Sequence, residues 1–275
     1  MQQPPDNLAT VSNGATEALA PAPLIDIEGL TKLYGEFPAV HELSFRVHAG
    51  EVMGLVGPNG AGKTTTLRCI AGIIPATRGS IRIAGSDMID EPIAAKRQTA
   101  FFTDEPRLFD YLTVEQHLAF TARIYQVAGY REVAQPILDE LEMADKLGAL
   151  PGELSRGMKQ KLAIACGLLH SPKVIFFDEP LTGLDPVGIR RMKKSIIKRA
   201  RAGAAIIISS HLLHLLEEVC SHVLILKRGR KVVDGTIEGI TAAFAGQTGD
   251  ASLETIFIRA TGEVDDDLEP PPGGR

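Results

Sequence analysis

The chain has 275 residues, 44% hydrophobic and 23% charged, with a formal net charge of −5. That length bounds it to one large domain or a domain plus a subdomain, and the charge balance gives no footprint of a nucleic-acid partner. Its apolar runs, such as 204–208, fall far short of the roughly 20 residues that span a bilayer, and three scattered cysteines without a C-x-x-C pair point to reduced thiols in the cytosol.

In chain order, residues 1–23 are rich in Pro, Ala, Asn and Gln and read as a disordered lead with no secretory pattern. "LIDIEGL" alternates apolar and polar residues, as a half-buried strand does. "EVMGLVG" is a short apolar run that stops at glycine, and a helix is expected from Gly62–Lys63 to Pro75. "SIRIAG" alternates again, and "TAFF" is another short strand. Thr113 and Gln116 have capping-box spacing ahead of a helix over "VEQHLAFTARIYQV". "REVAQPILDELEM" reads as a second helix that Pro136 kinks or divides, and Ser155 opens a third. The buried strand "KVIFF" follows, then a basic helix from Pro186 and the apolar strand "AAIIISS". A helix over "HLLEEVC" leads to a strand pair that turns at Arg228–Gly229. Residues 237–261 read as a C-terminal helical extension. The acidic, Pro/Gly-rich residues 262–275 read as a disordered tail.

Strands alternating with helices point to an α/β fold with a mainly parallel sheet. The helical run over about 104–170 is too long for one crossover and reads as an inserted subdomain.

"GPNGAGKTT" comprises Gly57, Pro58, Asn59, Gly60, Ala61, Gly62, Lys63, Thr64 and Thr65, and fits G-x-x-x-x-G-K-[ST]. Glycines let the backbone bend so that successive N–H groups face phosphate oxygens. Lys63 brings positive charge to the β- and γ-phosphates, and the Thr64 hydroxyl suits Mg²⁺. The helix that follows aims its N-terminal N–H groups at the same anion. In "VIFFDEP", four apolar residues form a buried strand, and Asp178 stands at its carboxyl edge, where open α/β sheets bind ligands. There Asp178 suits Mg²⁺, usually through water, and Glu179 is placed to orient or deprotonate a water.

With these residues in hand, the sequence over about 24–236 resembles the ATP-binding cassette (ABC) family. Tyr34 in "TKLYG" corresponds to the aromatic that stacks on adenine, and residues 57–65 to the phosphate loop. "LSRGMKQKL", with Ser155 and Gly157, is similar to the signature motif. Asp178 and Glu179 correspond to the metal and catalytic carboxylates. "LTGLD" at 181–185 is similar to the dimer-contact loop, and His211 in "ISSHLL" to the switch histidine. The resemblance implies a P-loop NTPase core, a small antiparallel N-terminal sheet and an inserted helical subdomain. It also implies ATP and Mg²⁺ as ligands, a second cassette packed head to tail as a homo- or heterodimer, and a separate integral-membrane permease. The chain would then lie in the cytoplasm against the membrane's inner face and power export of a drug, lipid or polysaccharide. Rival readings are a non-transport ATPase of the family and a regulatory module that binds ATP without turnover.

Two motifs depart from the family pattern. Arg156 and Met158 stand where the signature has Gly and Gln, and the Arg156 charge either meets phosphate or faces solvent. In "TAFFTDEP", Asp104 stands where the family has a Gln that touches Mg²⁺ and the attacking water. An aspartate is one methylene shorter and charged, but its oxygen also suits Mg²⁺.

Overall fold

The computed structural model describes residues 22–180, 186–248 and 252–262. The lead, most of the tail and residues 181–185 lie outside them. Strands β1 (Ile25–Tyr34), β2 (Phe37–Val47), β3 (Val52–Val56), β4 (Arg78–Ile83) and β5 (Ser86–Asp87) occupy the first third, with helix α1 (Lys63–Ile70) between β3 and β4. Helix α2 (Pro92–Arg97) and strand β6 (Thr99–Phe102) lead into the helical insertion: α3 (Val114–Tyr125), α4 (Tyr130–Leu141) and α5 (Arg156–Leu168). The chain returns through β7 (Val174–Asp178), α6 (Pro186–Arg201), β8 (Ala205–Ser209) and α7 (Leu213–Glu217). It ends with β9 (His222–Lys227), β10 (Arg230–Thr236), α8 (Ile237–Thr248) and α9 (Leu253–Thr261).

Two sheets result. One is antiparallel, in the order β2-β1-β4-β5; the other has the order β10-β9-β3-β8-β7-β6 and is parallel except for β10 at its edge. The parallel strands are buried on both faces, which is why they read as unbroken apolar runs. In β7, Val174 and Phe176 pack toward α1 and the antiparallel sheet, while Ile175 and Phe177 pack toward the helical insertion. Phe177 stacks on Phe102 with ring centroids 5.0 Å apart. Helix α5 lies so close to β6 that a Cβ on Gly167 would come within 2.4 Å of the Phe102 ring.

Local signals explain most boundaries. Thr113 and Gln116 form the expected reciprocal cap on α3. Arg228 (φ 50°) and Gly229 (φ 74°) make the β9–β10 turn, as a two-residue hairpin requires. One expectation needs correction and another narrows. Helix α1 stops at Ile70, not Pro75, because Gly72 is left-handed (φ 65°) and caps it: Ile73 N–H reaches Arg68 O at 2.9 Å and Gly72 N–H reaches Cys69 O at 3.0 Å. Pro136 does not divide α4; Glu132, whose carbonyl loses its partner, is exposed, so water can take the bond. Strand β2, which the sequence reading passed over, supplies the edge of the antiparallel sheet.

A cluster of charge joins the insertion to the core. Glu140 of α4 accepts from Lys198 and Arg199 of α6, each at 2.8 Å. Burial alone would raise the Glu140 carboxyl, but hydrogen bonds from Lys198, Ser195 and Arg199 hold it down at about 2. A carboxyl depressed in the folded state stabilises above its unfolded value, near 4.5, and that stability is lost as pH falls toward 2. Glu140→Gln is therefore expected to cost on the order of 1–2 kcal/mol at neutral pH after solvent screening, and to flatten the acid-unfolding slope between those pH values. Chemical denaturation across that pH range measures both. Burial pushes the Cys69 and Cys166 thiols up to about 11, and that of Cys220 up as well.

Among the described residues, no helix is long and apolar enough to cross a membrane.

Candidate functional site

Strand β3 is fully buried and delivers the chain to Gly57 at the carboxyl edge of the parallel sheet. Two glycines of the loop are dictated by close backbone approach. A Cβ on Gly57 would lie 2.5 Å from Leu226 O, and one on Gly62 would lie 2.5 Å from Ala39 O. Gly62 also has φ 102° and Gly60 φ 79°, which L side chains rarely adopt. The loop is braced from behind, where Gly229 N–H donates to Ala61 O at 2.9 Å and Gly229 O accepts from His41 N–H at 2.8 Å. The Lys63 ammonium folds across the loop onto Gly57 O (2.6 Å) and Pro58 O (3.2 Å). No acid occupies the first turn of α1, so its N-terminus keeps the positive end of the helix dipole for an anion.

The acids arrive from the neighbouring strands. Asp178 ends β7 and is only 7% exposed. Its Oδ1 accepts from Thr64 Oγ1 at 3.1 Å and from Ser209 Oγ at 2.8 Å. Ser209 is the register partner of Asp178 on β8. Thr64 and Asp178 thus bring two hard oxygen donors together beside the phosphate loop. That set fits a small divalent cation whose remaining ligands are water and phosphate oxygens. Glu179 turns off the strand in a left-handed conformation (φ 54°), with its N–H on Ser209 Oγ at 3.1 Å. Its Oε2 lies 2.9 Å from His211 Nδ1. A glutamate in that conformation stores strain, and Ser209 and His211 are the contacts that hold it. A cleft of about 380 Å³ opens alongside, lined by Gly57, Pro58, Asn59, Ser210, His211 and Phe257.

The structure therefore brings together Gly57, Lys63, Thr64, Asp178, Glu179 and His211. Other predicted residues sit further out. Tyr34 ends β1 and is 53% exposed, facing Phe37 across the hairpin. Its strand partner β2 runs on to Ala39, the residue that packs on Gly62. Asp104 is exposed on the loop after β6. Phe102, the last residue of β6, faces Phe177 in parallel register, and Asp104 follows two residues later in the loop. Among the described residues no hydrogen bond joins Asp104 to Thr64 or Asp178. Ser155 caps α5 through Met158 N–H at 3.3 Å, with Gly157 in the first turn. The "LTGLD" segment at 181–185 lies outside the described residues. Sequence reasoning missed Ser209 and Phe257; only strand register exposes the first, and only the packing of α9 the second.

A family model described as ABC transporter matches residues 40–182. The ABC-type transporter ATP-binding protein EcsA of Bacillus subtilis is 32% identical over 244 residues, covering 87% of this chain and 97% of that protein. The Nod factor export ATP-binding protein I of Burkholderia thailandensis is 34% identical over 210 residues, covering 77% of this chain and 70% of that protein. Among solved structures, one described as an ATP-binding subunit of an ABC transporter superposes with a TM-score of 0.81 at 33% identity, covering 86% of this chain and 99% of that one.

Proposed function

The chain belongs to the ABC transporter family and is an ATPase of it, and from that premise we propose that it powers a separate integral-membrane permease, as an exporter subunit. The observation that carries the reading is the convergence of Thr64, Asp178, Ser209, Glu179 and His211 on one edge of the sheet, against the phosphate loop.

The loop and the N-terminus of α1 bind the phosphates, and the Lys63 ammonium exchanges its two backbone carbonyls for β- and γ-phosphate oxygens. Thr64 and Asp178 would hold Mg²⁺, which supplies charge neutralisation between the phosphates. Glu179 takes a proton from the water that attacks the γ-phosphorus, and His211 fixes the carboxylate through its 2.9 Å contact. Tyr34 stacks on adenine from its exposed position. Ser155 and Gly157 present a helix N-terminus to the nucleotide of a second cassette, the same chain or a similar one, packed head to tail.

Residues 24–236 form the ATPase, with about 104–170 as its helical insertion and 237–261 as an extension. Exposed Phe109 and Tyr111 at the entrance to the insertion, with the neighbouring Leu112, supply an apolar face for the permease. The chain would work on the cytoplasmic face of the membrane. The cargo class is that of an exporter, a drug, lipid or polysaccharide, which the Nod factor export relative supports. Purification of the tagged chain from membranes tests this reading: an integral-membrane protein should come with it, and its absence would overturn the transport role.

Asp104 takes the place of a metal- and water-contacting glutamine. Asp104→Gln is expected to retain most turnover. Asp104→Ala should lose roughly tenfold, as when a group positioning a reactant is removed, and need more Mg²⁺. An unchanged Mg²⁺ titration in the alanine variant would sink the assignment.

A further inference from the structure

Gln160 lies in the second turn of α5, five residues beyond the cap Ser155. It is 5% exposed, and its Nε2 donates to Thr103 O at 3.0 Å. Its Oε1 is buried with no hydrogen-bond partner among the described residues. Thr103 follows directly on Phe102, the last residue of β6, which faces Phe177 in parallel register, and it connects that strand to Asp104.

A buried amide with one group unpaired is a poor choice for packing alone, since methionine would fill the same space without an orphaned oxygen. What the amide adds is one directional bond to a backbone carbonyl. The far end of α5 is already locked to β6 where Gly167 meets the Phe102 ring. Gln160 extends that attachment to the loop that carries Asp104.

We propose that Gln160 is a positioning residue that ties the Thr103–Asp104 backbone, at this chain's own nucleotide, to the Ser155–Gly157 end of α5, which meets the nucleotide of the opposing cassette. The inference rests on the head-to-tail reading above. It makes α5 the physical link through which occupancy of one nucleotide site is felt at the other, and Gln160 the joint at its near end.

The test uses the full chain and its Gln160→Met variant, measuring turnover against ATP concentration, nucleotide affinity by equilibrium titration, and thermal midpoint. Expected are a kcat lower by about five- to tenfold and a Hill coefficient near one, with affinity and midpoint kept. Wild-type kcat and cooperativity, or a loss of kcat that tracks a fallen midpoint, would overturn the proposal. Should the methionine variant not fold, Gln160→Glu decides. Its carboxyl can donate to Thr103 O only when protonated, so its turnover relative to wild type should rise as pH falls. A flat ratio overturns the role. A wild type without ATP turnover would overturn the functional reading itself, whereas wild-type turnover with an unaffected variant overturns only this inference.

Discussion

Glu179→Gln is expected to lower ATP turnover by on the order of 10²- to 10⁴-fold, the range for removal of a positioned general base. The effect should be nearly pure. Glutamine keeps the length of the side chain, can still meet His211, and leaves the backbone bond to Ser209 Oγ untouched. What it loses is the basic oxygen that accepts a proton from water. ATP should therefore bind but not be consumed, and the pair of cassettes should stay closed around it. Size-exclusion chromatography with ATP and Mg²⁺ should show the variant as a dimer where wild type returns to monomer. Equal hydrolysis by the two proteins would remove Glu179 from the mechanism.

Lys63→Ala should act one step earlier, on binding. Its ammonium sits on Gly57 O and Pro58 O, at the centre of the loop that receives the phosphates. Losing a charge-assisted contact of this kind costs about 3 kcal/mol, or roughly 10²-fold in nucleotide Kd. The fold should survive, because the loop is held mainly by backbone: Gly229 N–H on Ala61 O, and the close approach of Gly57 to Leu226 and Gly62 to Ala39. A titration with a fluorescent nucleotide, together with a thermal melt, separates the two effects. Arginine is not expected to rescue, since its planar fork cannot stand in for a compact ammonium in so confined a loop.

Much of this site was legible because its chemistry demands particular residues at fixed spacing. Residues 57–65 need glycines where backbone comes within contact distance, and the buried strand ending in Asp178 and Glu179 needs apolar residues up to its last turn of chain. The capping box at Thr113 and the Arg228–Gly229 turn were equally local, and equally readable. What stayed hidden depends on partners distant in sequence. Ser209 becomes part of the site only when β8 aligns with β7, 31 residues away. The left-handed turn at Glu179 has no signal in the residue itself. The early end of α1 depends on Gly72 taking a left-handed conformation, while the apolar residues after it continue the helical pattern. Strand β2 was missed although "HELSFRV" alternates, because its partner in the sheet was not apparent. Gln160 was visible in the signature-like segment, yet its bond to Thr103 spans 57 residues.

Burial keeps all three native thiols protonated at neutral pH. Burial raises the Cys69 and Cys166 thiols to about 11 and raises Cys220 as well, which disfavours the reactive thiolate at each. The native thiols should therefore react slowly with maleimide and nitroxide reagents. A single cysteine installed at an exposed position would then label selectively.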